Sequence, residues 1–372
     1  MRVAIVTESF LPQINGVTMS VLKVCEQLQR RGHAALVVAP GPGPTRWAGA
    51  DVVRVPSLPL PGYTTYRVAW PWPWLSTTLR SFRPDVVHLA SPTVLGAQAV
   101  TVADRLGVPC VAVYQTDLAA YAARYRMPVA SRAVWSWLAW VHRQAAVTLA
   151  PSSAAAADLE AHGVPRVRVW PRGVDLERFH PQHRDEKLRE RLSPEGRPIV
   201  GYVGRLAAEK QVHLLAELHD RSDVQLVVVG DGPHRPSLER LLPRARFLGL
   251  QQGAALAAVY ASLDVFVHTG PHETFCQAAQ EALASGVPVV APAAGGLLDL
   301  VDDGVTGRLF PPESAGALRL AVESLTSDPA ARAACAERAR ASVNGRSWEA
   351  IADLYLQHCA DVISAPQQAM PA

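Results

Sequence analysis

Two carboxylates eight positions apart, Glu273 and Glu281, and two cations five apart, Arg205 and Lys210, are the residues of this sequence best suited to chemistry. The carboxylates stand in LDVFVHTGPHETFCQAAQEALASGVPVVAP, which begins at Leu263. There Leu263 to His268 is a short apolar run ending in a Gly-Pro loop. Thr274 to Ser285 reads as a helix stopped by Gly286, and Val287–Val290 as a second strand. On such a helix, eight residues at about 100° each turn roughly 800°, so Glu281 projects about 80° from Glu273 and about 12 Å further along the axis. Glu273 is then at a helix N-terminus, which favours an anion, and Glu281 lies down its flank. An extended ligand with a phosphate in its middle and hydroxyl groups at both ends fits that arrangement.

These residues need a parallel sheet to position them, and the chain reads as two series of βαβ units. The first opens with RVAIV, the loop TESFLPQINGV, a helix from about Thr18 to Arg31 and a strand Ala35–Ala39. Gly16 precedes the helix, where a residue without Cβ lets the backbone approach a phosphate. The loop is not G-x-G-x-x-G, which argues against a nicotinamide-binding domain. Residues 41–80, rich in Pro, Gly and Trp, read as an ordered surface loop or short edge structure. Strands at 84–90 and 108–113 follow. Tyr114-Gln115-Thr116-Asp117 then lies at the carboxyl end of a strand, where α/β proteins place ligand chemistry. The second series runs through IVGYVGRL, VQLVVVGDGP and FLG, with Arg205 and Lys210 at the head of a helix. An arginine fork and a lysine point charge there make a diphosphate site.

Composition sets outer limits. At 372 residues two domains are expected, and 49% hydrophobic residues supply two cores. A net charge of +3 is too small for a nucleic-acid binder. The five cysteines are scattered without metal or disulfide spacing, so free thiols in a reducing compartment are expected. Val3–Val6 runs directly into polar Thr7-Glu8-Ser9, so no signal peptide is expected, and no stretch approaches the roughly 20 apolar residues of a membrane span. The helix-like SRAVWSWLAWVHRQA sets Trp135, Trp137 and Trp140 among Arg132 and Arg143. It reads either as a partly buried amphipathic helix or as a surface that seats on anionic membrane. A cytoplasmic protein, peripheral at the inner face of the membrane in the second case, is the resulting expectation.

Taken together, Gly16, Arg205 with Lys210, Gly230-Asp231-Gly232-Pro233 and Glu273-x7-Glu281 resemble the signature of glycosyltransferase family 4, in order along nearly the whole chain. SFLPQINGV, YQTD and ETFCQ are similar to its bacterial GDP-mannose-dependent α-mannosyltransferases of cell-envelope glycolipid synthesis. The resemblance implies the GT-B fold, two facing Rossmann-like domains with an interdomain cleft. Residues 1–172 form the acceptor-side domain and 173–346 the nucleotide-sugar domain, and a C-terminal helix near 347–363 returns to the first. Arg172-Gly173-Val174-Asp175 matches the family's crossing apart from the arginine, and Gln115 stands where many relatives have histidine.

The resemblance also implies roles. The donor diphosphate faces Gly16, Arg205, Lys210 and the backbone of Thr274, Phe275, Cys276 and Gln277. Glu273 orients sugar hydroxyls, Glu281 accepts hydrogen bonds from the ribose, and Asp117 is the nearest candidate to contact the transferred sugar or acceptor, with a helix cap as its alternative. The donor is a nucleotide sugar, GDP-mannose first, and the acceptor a lipid or glycolipid. No essential metal is expected, because the two cations stabilise the leaving diphosphate. A UDP-hexose donor is the alternative, since Gln251-Gln252 replaces an acid of some guanine-binding relatives. A non-catalytic nucleotide-binding scaffold is the remote one.

Overall fold

Short runs of β-branched residues buried on both sides make the sheets, as expected for parallel strands covered on two faces. In the computed structural model, which describes residues 1–60, 63–115 and 128–365, the chain divides into two units. Met1–Arg172 and the chain from Trp348 onward form the first, and Gly173–Ser347 forms the second.

The first unit holds an eight-stranded sheet of order β10-β9-β8-β7-β1-β2-β4-β3. Its strands are β1 (Arg2–Val6), β2 (Ala34–Pro40), β3 (Arg46–Trp47), β4 (Ala50–Val55), β7 (Val86–Leu89), β8 (Cys110–Val113), β9 (Val147–Ala150) and β10 (Val167–Val169). β5 (Ser57–Leu60) and β6 (Tyr63–Ala69) form a separate antiparallel hairpin. The segment expected as a surface loop therefore contributes more than an edge. ADVVRV of β4 adds to the sheet in parallel beside β2, because Val52 reaches the core on one face and Val55 on the other.

The first helix, Gly16–Arg30, begins two residues earlier than its apolar period announces. Asn15 caps it, the Oδ1 accepting from the Thr18 amide at 2.9 Å. The helix Trp348–Ser364 packs into the first unit's core through Ile351, Tyr355 and Cys359. Trp170 Nε1 donates to the Ile351 carbonyl at 2.9 Å, and the Tyr355 hydroxyl lies 2.9 Å from His88 Nδ1. Burial presses His88 down to about 3, so this pair stays neutral inside the core.

The second unit is a wholly parallel six-stranded sheet, β13-β12-β11-β14-β15-β16. Its strands are β11 (Ile199–Val203), β12 (Gln225–Val229), β13 (Arg246–Gly249), β14 (Val265–Val267), β15 (Val289–Pro292) and β16 (Gly307–Phe310). The turn after β12 presses on the loop after β11: a Cβ on Gly230, at φ +125°, would stand 1.9 Å from the Gly204 carbonyl oxygen, so only glycine fits.

Strand order reverses between β1 and β7 in the first sheet and between β11 and β14 in the second. In open α/β sheets the crevice at the carboxyl ends of two such strands is where ligands bind.

Candidate active site

The second unit's reversal point gathers most of the chemistry foreseen from spacing. The loop after β11 carries Arg205 and Lys210, and the loop after β14 carries Glu273. Neither cation heads an α-helix. Ala208–Lys210 and Val212–Leu218 are 3-10 turns separated by Gln211 in the left-handed region, φ +48°, which breaks the expected helix.

The helix expected from Thr274 likewise starts only at Gln277 and runs to Ala284. Cys276, its N-cap, sits at φ +81° and ψ 76°, a conformation that strains a non-glycine residue by about 1–3 kcal/mol. Glu273 therefore belongs to the loop before the helix, and the angular relation to Glu281 along one axis does not apply. The loop is pinned from below, the Gly296 amide donating to the Glu273 carbonyl at 2.7 Å. At Gly295, φ +57°, a Cβ would stand 2.4 Å from that same oxygen.

Glu273 is largely buried, with 15% of its side chain exposed. Its Oε1 accepts from the Lys210 ammonium and lies 3.0 Å from His268 Nε2. Burial alone would push this carboxyl up. The Lys210 charge and the His268 ring outweigh burial and hold it near 2, so the site carries a carboxylate at neutral pH. Burial likewise works against the His268 cation, yet the Cys276 sulfur and Glu273 carboxylate beside it push it up to about 9. The His268 ring stacks with Tyr202 at 6.2 Å between centroids. Sequence reasoning missed this histidine, and its only signal was a polar residue closing an apolar strand.

Arg205, 41% exposed at its side chain, pairs with Glu209. Glu281 on the helix has an opposite environment: burial raises its carboxyl to about 7, although the Tyr260 hydroxyl, Arg178 and Gln277 pull it down. Gln277 also donates to the Gly173 carbonyl at 3.2 Å. Phe275 is buried in the hydrophobic core, which leaves its backbone rather than its side chain to meet a ligand, whereas Cys276, also buried, turns its sulfur toward His268 and Glu273. Thr274 is half-buried in the same loop.

At the first unit's reversal point, Gly16 is the first residue of its helix, and a Cβ there would lie 3.0 Å from Arg172 Nη1. Arg172 Nη2 donates to Gln115 Oε1 at 2.8 Å, and Gln115 Nε2 donates to the Ala90 carbonyl at 3.3 Å. The two departures from the family pattern, Arg172 and Gln115, thus hold each other. Asp117 lies outside the described residues.

Glycosyltransferase Family 4 matches residues 14–178, and Glycosyl transferases group 1 matches residues 183–342. A GDP-mannose-dependent alpha-mannosyltransferase of Mycolicibacterium smegmatis is 52% identical over 365 residues, 96% of each chain. One of Corynebacterium glutamicum is 46% identical over 375 residues, covering 99% of this chain and 91% of its own. Among solved structures, Anabaena Alr3699/HepE in complex with UDP superimposes with a TM-score of 0.81 at 20% identity, over 97% of this chain and 100% of that one. Sucrose-phosphate synthase from Thermosynechococcus elongatus does so with a TM-score of 0.80 at 22% identity, over 98% and 100%.

Proposed function

The chain belongs to glycosyltransferase family 4, and from that premise we propose that this GT-B enzyme is a retaining hexosyltransferase that moves mannose from GDP-mannose to a lipid or glycolipid acceptor. The observation that carries the reading is Glu273, kept ionised between Lys210 and His268 at a strand-order reversal, in a chain about half identical to enzymes of that name.

The chemistry follows from charge. Breaking the bond between the sugar and the diphosphate leaves negative charge on the leaving group, which Arg205 and Lys210 offset. The amides that open the helix at Gln277 point in the sense that favours an anion. Gly16 has the role the family gives its loop glycine, a backbone close to the diphosphate. Glu273 accepts hydrogen bonds from the sugar hydroxyls and so fixes the anomeric carbon, and Glu281 accepts from the ribose. The acceptor attacks on the face the diphosphate leaves, and the departing phosphate takes its proton, which retains configuration. In this reading no essential metal takes part, so activity withstands a chelator.

Among the described residues no helix is long and apolar enough to cross a membrane. A lipid acceptor then requires the enzyme to seat on the membrane surface, and the helix Pro128–Gln144 offers a place. Trp137 and Trp140 are 46% and 40% exposed, with ring centroids 5.4 Å apart. Trp135, grouped with them on the sequence, turns inward and stacks on His162 at 3.8 Å. Arg143 is also engaged, donating to the His162 and Gly163 carbonyls at 3.0 and 2.9 Å. Co-sedimentation with anionic vesicles should fall in Trp137→Ala/Trp140→Ala and stay unchanged in Arg143→Lys. Binding indifferent to anionic lipid and to both tryptophans removes the membrane from the proposal.

The decisive experiment is calorimetric titration with GDP-mannose and then UDP-glucose, without added metal. Tight binding of GDP-mannose alone is the expected result. A preference for UDP-glucose retains the mechanism and overturns the donor, whereas binding of neither favours a scaffold.

A further inference from the structure

His268, Glu273 and Cys276 each turn one ligand atom into the same small space. An imidazole nitrogen, a carboxylate oxygen and a thiol sulfur all lie within 4.8 Å of one another. Nitrogen, oxygen and sulfur together are the donor set of a borderline-soft cation. The sulfur selects zinc over magnesium, calcium or manganese, which take oxygen. Bond lengths of about 2.0–2.3 Å place tetrahedral zinc ligands roughly 3.3–3.8 Å apart, so the set needs to contract by only about 1 Å.

Two features make the cluster more than a chance grouping. The His268 ring is 3% exposed, and its Nε2 faces the carboxylate, 3.0 Å from Glu273 Oε1. Cys276 reaches the cluster from a left-handed backbone at φ +81°, where glycine would be relaxed. The chain thus carries a strained residue that brings a sulfur beside the histidine and the carboxylate.

We propose that His268, Glu273 and Cys276 form a zinc site which, when filled, stops sugar transfer by taking Glu273 from the donor. Zinc displaces the Lys210 ammonium from its shared carboxylate oxygen and leaves one coordination position open. The site itself stands on geometry, and the inhibition rests on the role proposed for Glu273.

The test begins without nucleotide. The full chain is titrated calorimetrically with Zn2+ and with Mg2+, and Co2+ serves as the optical probe. One equivalent of zinc, no magnesium binding and a sulfur-to-cobalt charge-transfer band are expected. Cys276→Gly suits the local backbone, and its fold is checked by thermal unfolding. It should abolish the band and weaken zinc by more than the roughly 10–100-fold lost with an outer-shell partner. Zinc bound equally well by Cys276→Gly and His268→Asn overturns the site and leaves the role of Glu273 standing. Transfer by the unaltered chain should fall with the same zinc constant and return on chelation. Zinc held at Cys276 without inhibition overturns the inhibitory half together with the role given to Glu273.

Discussion

Glu8 in the first unit and Glu273 in the second are both largely buried carboxyls in loops at the carboxyl end of a strand that borders the order reversal, yet their surroundings drive them in opposite directions. Glu8, 1% exposed, accepts from the Leu95 amide at 2.6 Å, and the groups that most oppose its rise are the Thr93 hydroxyl and backbone amides rather than cations. Burial therefore wins and pushes its carboxyl up, although Thr93 and the amides of the next helix oppose it. The loop around it is built from uncharged polar groups: Asn15 Nδ2 donates to Ser9 Oγ at 2.6 Å, and Ser9 Oγ lies 3.0 Å from Thr18 Oγ1. Glu273 meets Lys210 and His268, and there charge outweighs burial. One topology thus yields a carboxyl that burial pushes up in one unit and a carboxylate that charge holds ionised in the other. The number of cations in contact decides which, and depth of burial does not.

Removing the carboxylate that is ionised should have the largest effect. Glu273→Ala is expected to lower turnover by about 10²–10³-fold, comparable to the loss of one preorganised group at a transition state. GDP affinity should change far less, because Lys210 remains. Steady-state kinetics beside nucleotide titration separates the two. Lys210→Ala comes next and weakens both quantities, by about 10–100-fold, as expected for a charge-assisted hydrogen bond of about 1.5–3 kcal/mol. Equal, mild effects of the two substitutions would sink the assignment of this site.

What the sequence disclosed and what it hid follow the same physical division. The parallel strands were legible because two-sided burial demands unbroken runs such as VQLVVV. Arg205, Lys210 and Glu273 were legible because charge is rare beside such runs. Backbone exceptions were not. Nothing in the letters distinguishes Cys276 at φ +81° or Gln211 at φ +48° from ordinary helical residues, so one expected helix starts late, at Gln277, and the other is replaced by two 3-10 turns. His268 was hidden because a buried histidine ending a strand looks like core until its neighbours are known. The inward turn of Trp135 depends on His162, 27 positions away in the chain.

Glu281 allows a subtler test, since burial raises its carboxyl to about 7. If its carboxylate accepts from the ribose, donor affinity should rise by about tenfold from one pH unit below that value to one above it. Glu281→Gln should flatten the profile. Stability moves the other way. A carboxyl whose folded value exceeds its ordinary 4.5 holds its proton better in the folded chain, so its contribution falls as pH rises from about 4.5 to about 7.

Glu8 should give the smallest effect and the sharpest check on the comparison. Its carboxyl is also raised, so the folded chain binds a proton that the unfolded chain gives up once pH exceeds the ordinary value of 4.5. Its contribution to stability is therefore greatest in acid and declines as pH rises. Glu8→Gln replaces the carboxyl with an uncharged group of the same shape that does not titrate. Near neutral pH it should change stability by no more than about 1 kcal/mol, and it should remove part of the decline with pH. Denaturant unfolding at several pH values measures both, with turnover as the companion. A loss of turnover on the scale of Glu273→Ala, with stability intact, would show that Glu8 works as a charge and that the first unit's loop is a reactive centre as well.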